Sequence, residues 1–274
     1  MESVYQHYTS FLLTDIETGE TMSLTEDFDA MIINEDDKTY TRECLPDFND
    51  ITDKVDFIDG EVFVKSTYEP RTIPMTIFFD GKHSDGDMKR FKKWIGQRFL
   101  MKFRWENDWE DEEKYLLVKL KNGLETETFY SNNEFNSKMK LTFIAYDPFW
   151  RYWNEKIITF HDLVSGDSKK VKPRGNVNSY PFIYITPKTA NLTLKWNDLE
   201  IKLKDLVVGR EYTIDCEKCR FYYVQNGKNI GCLKQYESDK YFTYPKFDIK
   251  RNNTITLISG EISLLKVNPN TLII

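Results

Sequence analysis

At 274 residues, with 40% hydrophobic and 30% charged residues, the chain is long enough for two compact cores and too apolar to be disordered. Its net charge of -6 hides an asymmetry, since residues 1–60 hold sixteen Asp or Glu against three Lys or Arg, a balance of -13 that leaves +7 for the remainder. So acidic a first portion repels phosphate backbones and argues against nucleic acid as a tightly held ligand, while the plainer reading is a solvated acidic face.

The start, MESVYQHYTSFLL, has neither the basic region nor the cleavage site of a signal peptide, and no run of about 18 apolar residues follows. The expectation is a soluble chain made without a signal and without membrane insertion. Cys44, Cys216, Cys219 and Cys232 sit at no secreted-framework spacing, which favours reduced thiols in a cytoplasm. Abundant Tyr and Phe favour strands.

In chain order, TYEPRTIPMTIFFDG reads as a half-buried strand with Ile73, Met75, Ile77 and Phe79 on one face. SDGDMKRFKKWIGQR changes period: Met88, Phe91, Trp94 and Ile95 share a helical face, Ser84 or Asp85 can cap its start, and Gly96 allows a C-terminal turn. FLMKFRW, KYLLVKL, GLETETFY and SKMKLTFIAYD then read as four strands, the last with Met139, Leu141, Phe143 and Ala145 turned one way. Six acids crowd Glu106 to Glu113, but without the ligand spacing or turn glycine of a calcium loop, so a solvated hairpin tip is expected.

FIAYDPFWRYW marks the boundary between the two cores. Asp147 before Pro148 stops the strand, because proline restricts the residue before it and donates no ladder bond. Phe149, Trp150, Tyr152 and Trp153 are expected to seal the end of the first core where it meets the second, with Arg151 stacking on a ring or pairing with Asp147. The competing reading of these rings is a sugar platform. Beyond them EKIITF restarts the pattern, the polar LVSGDSKKVKPRGNVNSY shows no period, and PFIYITP, ANLTLKW, LEIKLKDL, EYTIDC, FYYVQN, NIGCLK, YFTYPKF, NTITLIS and EISLLKV form a train of short strands. Turns at Trp196-Asn197-Asp198, Gln225-Asn226-Gly227 and Arg251-Asn252-Asn253 are spaced as in an antiparallel sandwich.

Catalytic chemistry is hard to find. His7, His83 and His161 lie beside no nucleophile elbow, and no phosphate-cradling glycine loop occurs. Cys216 and Cys219 form a C-x-x-C that is a weak zinc candidate, lacking its second half-site. No cofactor and no enzymatic activity are expected.

PMTIFFDGKHSDGDMKRFKKWIG and FIAYDPFWR, followed by GNVNSYPFIYIT, EYTIDC and YFTYPKFDIKRNNTITL, resemble in order and spacing the distal tail proteins of long-tailed bacteriophages. The resemblance spans nearly the whole chain. It implies a mainly β protein of two β-sandwich domains: residues 1–152, ring-forming, with one α-helix and a β-hairpin, and residues 153–274, galectin-like. It also implies a ring, usually of six copies, that joins the tail tube to the tail hub or lysin and to receptor-binding proteins. DNA would pass through the ring without specific binding, and the ring would sit at the virion's tail tip after assembly in the host cytoplasm. The alternative is a carbohydrate-binding module that adheres to a cell wall, with a wall hydrolase third.

Overall fold

The structure, a computed structural model, describes residues 10–33, 46–53, 62–79, 84–104, 114–121, 125–131, 134–172, 174–240 and 243–274. His7, His83, Cys44 and the acidic stretch Glu106 to Glu113 lie outside them. The chain divides into two compact units, Met1–Trp153 with the terminal Ile274, and Asn154–Ile273.

The first unit opens with β1 (Ser10–Asp15), β2 (Thr21–Ser23), α1 (Leu24–Phe28) and β3 (Ala30–Ile33). There follow β4 (Phe48–Asp53), β5 (Val62–Tyr68), β6 (Arg71–Phe79), α2 (Ser84–Lys92), β7 (Arg98–Arg104), β8 (Lys114–Leu120), β9 (Glu125–Ser131), β10 (Glu134–Ala145) and β11 (Arg151–Tyr152). Nine of these strands form one antiparallel sheet, ordered β2-β1-β7-β8-β10-β6-β3, with β9 on β10 and β11 on β8. The sheet curls until β1 lies near β3 and wraps a single core. Alternation on β6 decides which side chains enter that core: Ile73, Met75, Ile77 and Phe79 are buried while Thr72 and Pro74 are exposed. Among the described strands β4 and β5 pair only with each other.

Two helices pack against this sheet, where the sequence suggested one. α1 is short but well capped: the Ser23 hydroxyl accepts from the Glu26 amide at 3.2 Å, and the Asp27 carboxylate accepts from the Ser23 amide at 2.7 Å, a reciprocal arrangement that satisfies the helix's orphan donors. α2 buries Met88 and Phe91 as expected, yet it ends at Lys92. Beyond that point Trp94 and Ile95 reach the core from a tighter turn, in which the Trp94 amide bonds to the Phe91 carbonyl. Phe28 meets Phe91 edge to face at 5.6 Å, which joins the two helices.

The second unit comprises β12 (Ile158–Val164), β13 (Ser168–Val171), β14 (Phe182–Pro187), β15 (Leu192–Trp196), β16 (Leu199–Leu203), β17 (Tyr212–Asp215), β18 (Arg220–Gln225) and β19 (Lys228–Gly231). A 3-10 turn at Leu233–Gln235 leads into β20 (Tyr236–Ser238), β21 (Asn253–Ser259) and β22 (Glu261–Asn268). They build a six-stranded sheet, β12-β22-β14-β17-β18-β19, and a five-stranded sheet, β13-β21-β15-β16-β20. Ile183, Ile185, Ile214, Phe221, Leu265 and Val267 from the first sheet share a core with Leu194, Trp196, Ile201, Leu203, Ile255 and Leu257 from the second. The result is an antiparallel sandwich.

Two readings of the sequence fail here. YFTYPKF is not a strand: of the described residues, Tyr244 and Phe247 are buried while 243–246 is irregular, because Pro245 has no ladder donor, and Leu203 pairs instead with Tyr236 on β20. SKKV, read as featureless, is β13, whose lysines left only Val171 as an apolar signal. The turns fare better. Asn226 and Gly227, at φ 50 and 72, form the left-handed pair that a two-residue hairpin requires.

Gly175 holds the closest backbone approach, since a Cβ there would lie 2.2 Å from the Leu272 carbonyl oxygen. Gly175→Ala is expected to destabilise the protein by about 1–3 kcal/mol through overpacking, read as a lower melting temperature. Gly86→Ala is the control, because a Cβ on that helical glycine meets nothing within 4 Å; it is expected to leave the melting temperature unchanged or raise it.

Candidate functional site

After Ala145 the backbone leaves the sheet, and Tyr146 stands 68% exposed before Asp147 and the buried Pro148. Arg151 folds back on Asp147, its Nη2 donating at 2.7 Å and its Nε at 3.3 Å to the same carboxylate oxygen. This pair is partly exposed, at 18% and 32% of the two side chains, so it orients the turn more than it stabilises the fold. It also places Arg151 and Tyr152 against Tyr115 and Lys114 of β8.

The four rings then divide among separate supports in the first unit. Trp150 packs on its core, with the buried Arg71 guanidinium 5.8 Å from the ring. Trp153 meets Tyr115 edge to face at 5.6 Å and takes the Lys102 ammonium 3.8 Å over its face. Tyr152 has the Lys114 ammonium at 5.8 Å. Phe149 meets Tyr68 of β5 at 5.1 Å, and Tyr68 meets Phe48 of β4 at 4.6 Å.

That last chain of rings ties the β4–β5 hairpin to the turn. A free two-stranded hairpin is marginal in water, and this one carries exposed apolar side chains, with Phe48 63%, Val64 54% and Ile51 39% accessible. Its register shifts between Ile51↔Lys65 and Thr52↔Phe63, which leaves Val64 in a bulge. The Ser66 hydroxyl donates to Asp50 across the two strands. An apolar surface on a marginal, anchored hairpin is what a docking element looks like. The resemblance implied a β-hairpin in this domain without placing it; the residues alone did not mark β4, whose Asn49, Asp50, Thr52 and Asp53 surround Phe48 and Ile51.

Cys216 and Cys219 occupy the turn from β17 to β18, closed by the Asp215↔Arg220 pair. The Asp215 carboxylate accepts from the Lys218 amide at 2.9 Å. Cys216 faces the core at 1% exposure, and burial pushes its thiol well up from the ordinary value. Cys219 is exposed with φ 53, its Sγ 3.9 Å from the Cys216 carbonyl oxygen. Cys232 is buried elsewhere on the core, its Sγ 3.5 Å from the Ile230 carbonyl. Among the described residues no three His, Cys, Asp or Glu side chains gather as a metal site would require. His161 lies on β12 opposite Leu264.

No family model matches the chain, and no curated protein matches it in sequence. Solved structures do. The crystal structure of the SPP1 Dit protein, a paradigm of the hub adsorption apparatus in phages infecting Gram-positive bacteria, aligns over 96% of this chain and 99% of its own, at a TM-score of 0.63 and 13% identity. Chains of the phage P2 baseplate in its activated conformation align with TM-scores of 0.48 in the calcium form and 0.49 in the strontium form. The shares covered are 94% and 97% in the first and 95% and 98% in the second, at 10% and 12% identity.

Trp150→Ala is expected to lower stability by about 2–4 kcal/mol, since a half-buried indole is lost from the core, as read by denaturant unfolding. Phe149→Ala should cost only about 1 kcal/mol overall while hydrogen exchange at the β4–β5 amides speeds up; unchanged exchange there would refute the anchoring role.

Proposed function

We propose, from the fold that this chain shares with the SPP1 Dit protein, that the protein is a noncatalytic hub of a phage tail tip. The shared fold is the observation that carries this reading, because it covers 96% of one chain and 99% of the other; at 13% identity it speaks for architecture, and the role is inferred from it.

In this reading six copies close into a ring that joins the tail tube to the tail hub or lysin and to receptor-binding proteins, after assembly in the host cytoplasm. The first unit forms the ring, the second carries the outer partners, and the Asp147–Arg151 turn is the joint where the chain passes between them. Identical chains in head-to-tail contact make a ring when the rotation closes, with ~800 Å² buried per partner at each stable contact. The hairpin supplies apolar anchors for such a contact in Phe48, Ile51 and Val64. The excess of sixteen acids over three bases in residues 1–60 suits a conduit through which DNA slides without sticking.

Light scattering across a concentration series tests this directly. The expected mass is six times the 32.6 kDa chain, and Ile51→Asp combined with Val64→Asp should shift it to one chain without lowering the melting temperature. A wild-type monomer that binds a glycan saturably would contradict the hub and favour a carbohydrate-binding module.

A further inference from the structure

The C-x-x-C turn has no part in the proposed hub. Its four residues connect β17 to β18, and the ends of so tight a turn lie within about 7 Å between Cα atoms. A disulfide spans about 4.4–6.8 Å between Cα atoms. The Cys219 sulfur already turns back to the Cys216 carbonyl, 3.9 Å away. We propose that Cys216 and Cys219 form an intramolecular disulfide once the protein meets an oxidising medium, a covalent clasp on the β17–β18 hairpin.

The two thiols differ in the way stepwise exchange needs. Cys219 is exposed and sits in a left-handed turn, open to attack on an external disulfide. Cys216 lies in the core, next to β20 and the stacked pair Tyr236 and Tyr244, whose rings are 4.6 Å apart at 6°. Burial, with Cys219 and Cys216 next to it, pushes the Tyr244 hydroxyl up to about 12, as expected of an apolar pocket that disfavours charge. A buried thiol of this kind is shielded from outside reagents, which leaves Cys219 as the thiol that meets the oxidant first. No third ligand joins the pair among the described residues, which favours a two-sulfur product over a metal centre.

The chemistry balances with a small disulfide oxidant such as oxidised glutathione. The Cys219 thiolate attacks one of its sulfurs and expels a glutathione thiolate, leaving a mixed disulfide. Cys216 then loses its proton and attacks the Cys219 sulfur, expelling the second glutathione. Two protein thiols are oxidised, one small disulfide is reduced to two thiols, and no other reactant is needed.

The test uses the full chain, reduced and then equilibrated with oxidised glutathione, alkylated and digested with trypsin. Cleavage after Arg210, Lys218 and Arg220 would leave Glu211–Lys218 joined to Cys219–Arg220 by the disulfide alone, while Cys44 and Cys232 carry the alkyl label. Oxidation should also raise the melting temperature by a few degrees in the wild type and not in Cys219→Ser. Recovery of both peptides alkylated, or of Cys219 joined to Cys232, Cys44 or a second molecule, would overturn the proposal. Neither result bears on the hub, whose test is assembly mass.

Discussion

The first unit depends on the pairing of one long strand. β10 runs twelve residues, Glu134–Ala145, and is held on one edge by β6 along Ser137–Ala145. Its other edge is shared, with β9 pairing at Glu134–Lys140 and β8 taking over at Phe143 and Ile144. Backbone groups within so long a strand must find partners on both sides, and the handover from β9 to β8 supplies them while letting the sheet curl. Met139, Leu141, Phe143 and Ala145 all enter the core as a result. Beyond the strand's end Pro148 offers no ladder donor, and the Phe149–Tyr68–Phe48 chain of rings starts from that turn before β11 pairs with β8.

Apolar side chains stand exposed in both units, Val208 at 57% and Val224 at 60% in the second among them. The second closes its core between two sheets, and its five-stranded sheet turns Lys195 and Lys202 to solvent, as a solvated outer face should. The first keeps Phe48, Ile51 and Val64 on a hairpin that nothing else pairs with among the described strands. The core of the first unit is built without Phe48, Ile51 or Val64, so the hairpin's apolar side chains are not needed to complete it.

Elements with strong period were legible in the sequence. Ile73 to Phe79 alternates and is β6, and the Met88 and Phe91 face is α2, because their burial pattern is written in consecutive residues. α1 was missed although Ser23 and Glu26 carried a capping signal, since five residues are too few for a helical period. YFTYPKF looked like a strand because its aromatics are needed in the core, but burial does not require a ladder. The pairing of Arg151 with Asp147 was readable as a choice between two partners, being local. The contact of Phe149 with Tyr68 joins residues far apart in the chain; no local pattern encodes it.

Electron microscopy of the purified full-length protein tests the central claim most directly. The account predicts closed rings of six copies around a pore, lost when Ile51 and Val64 both become Asp. Well-folded single chains at every concentration, or open filaments unaffected by those substitutions, would contradict it.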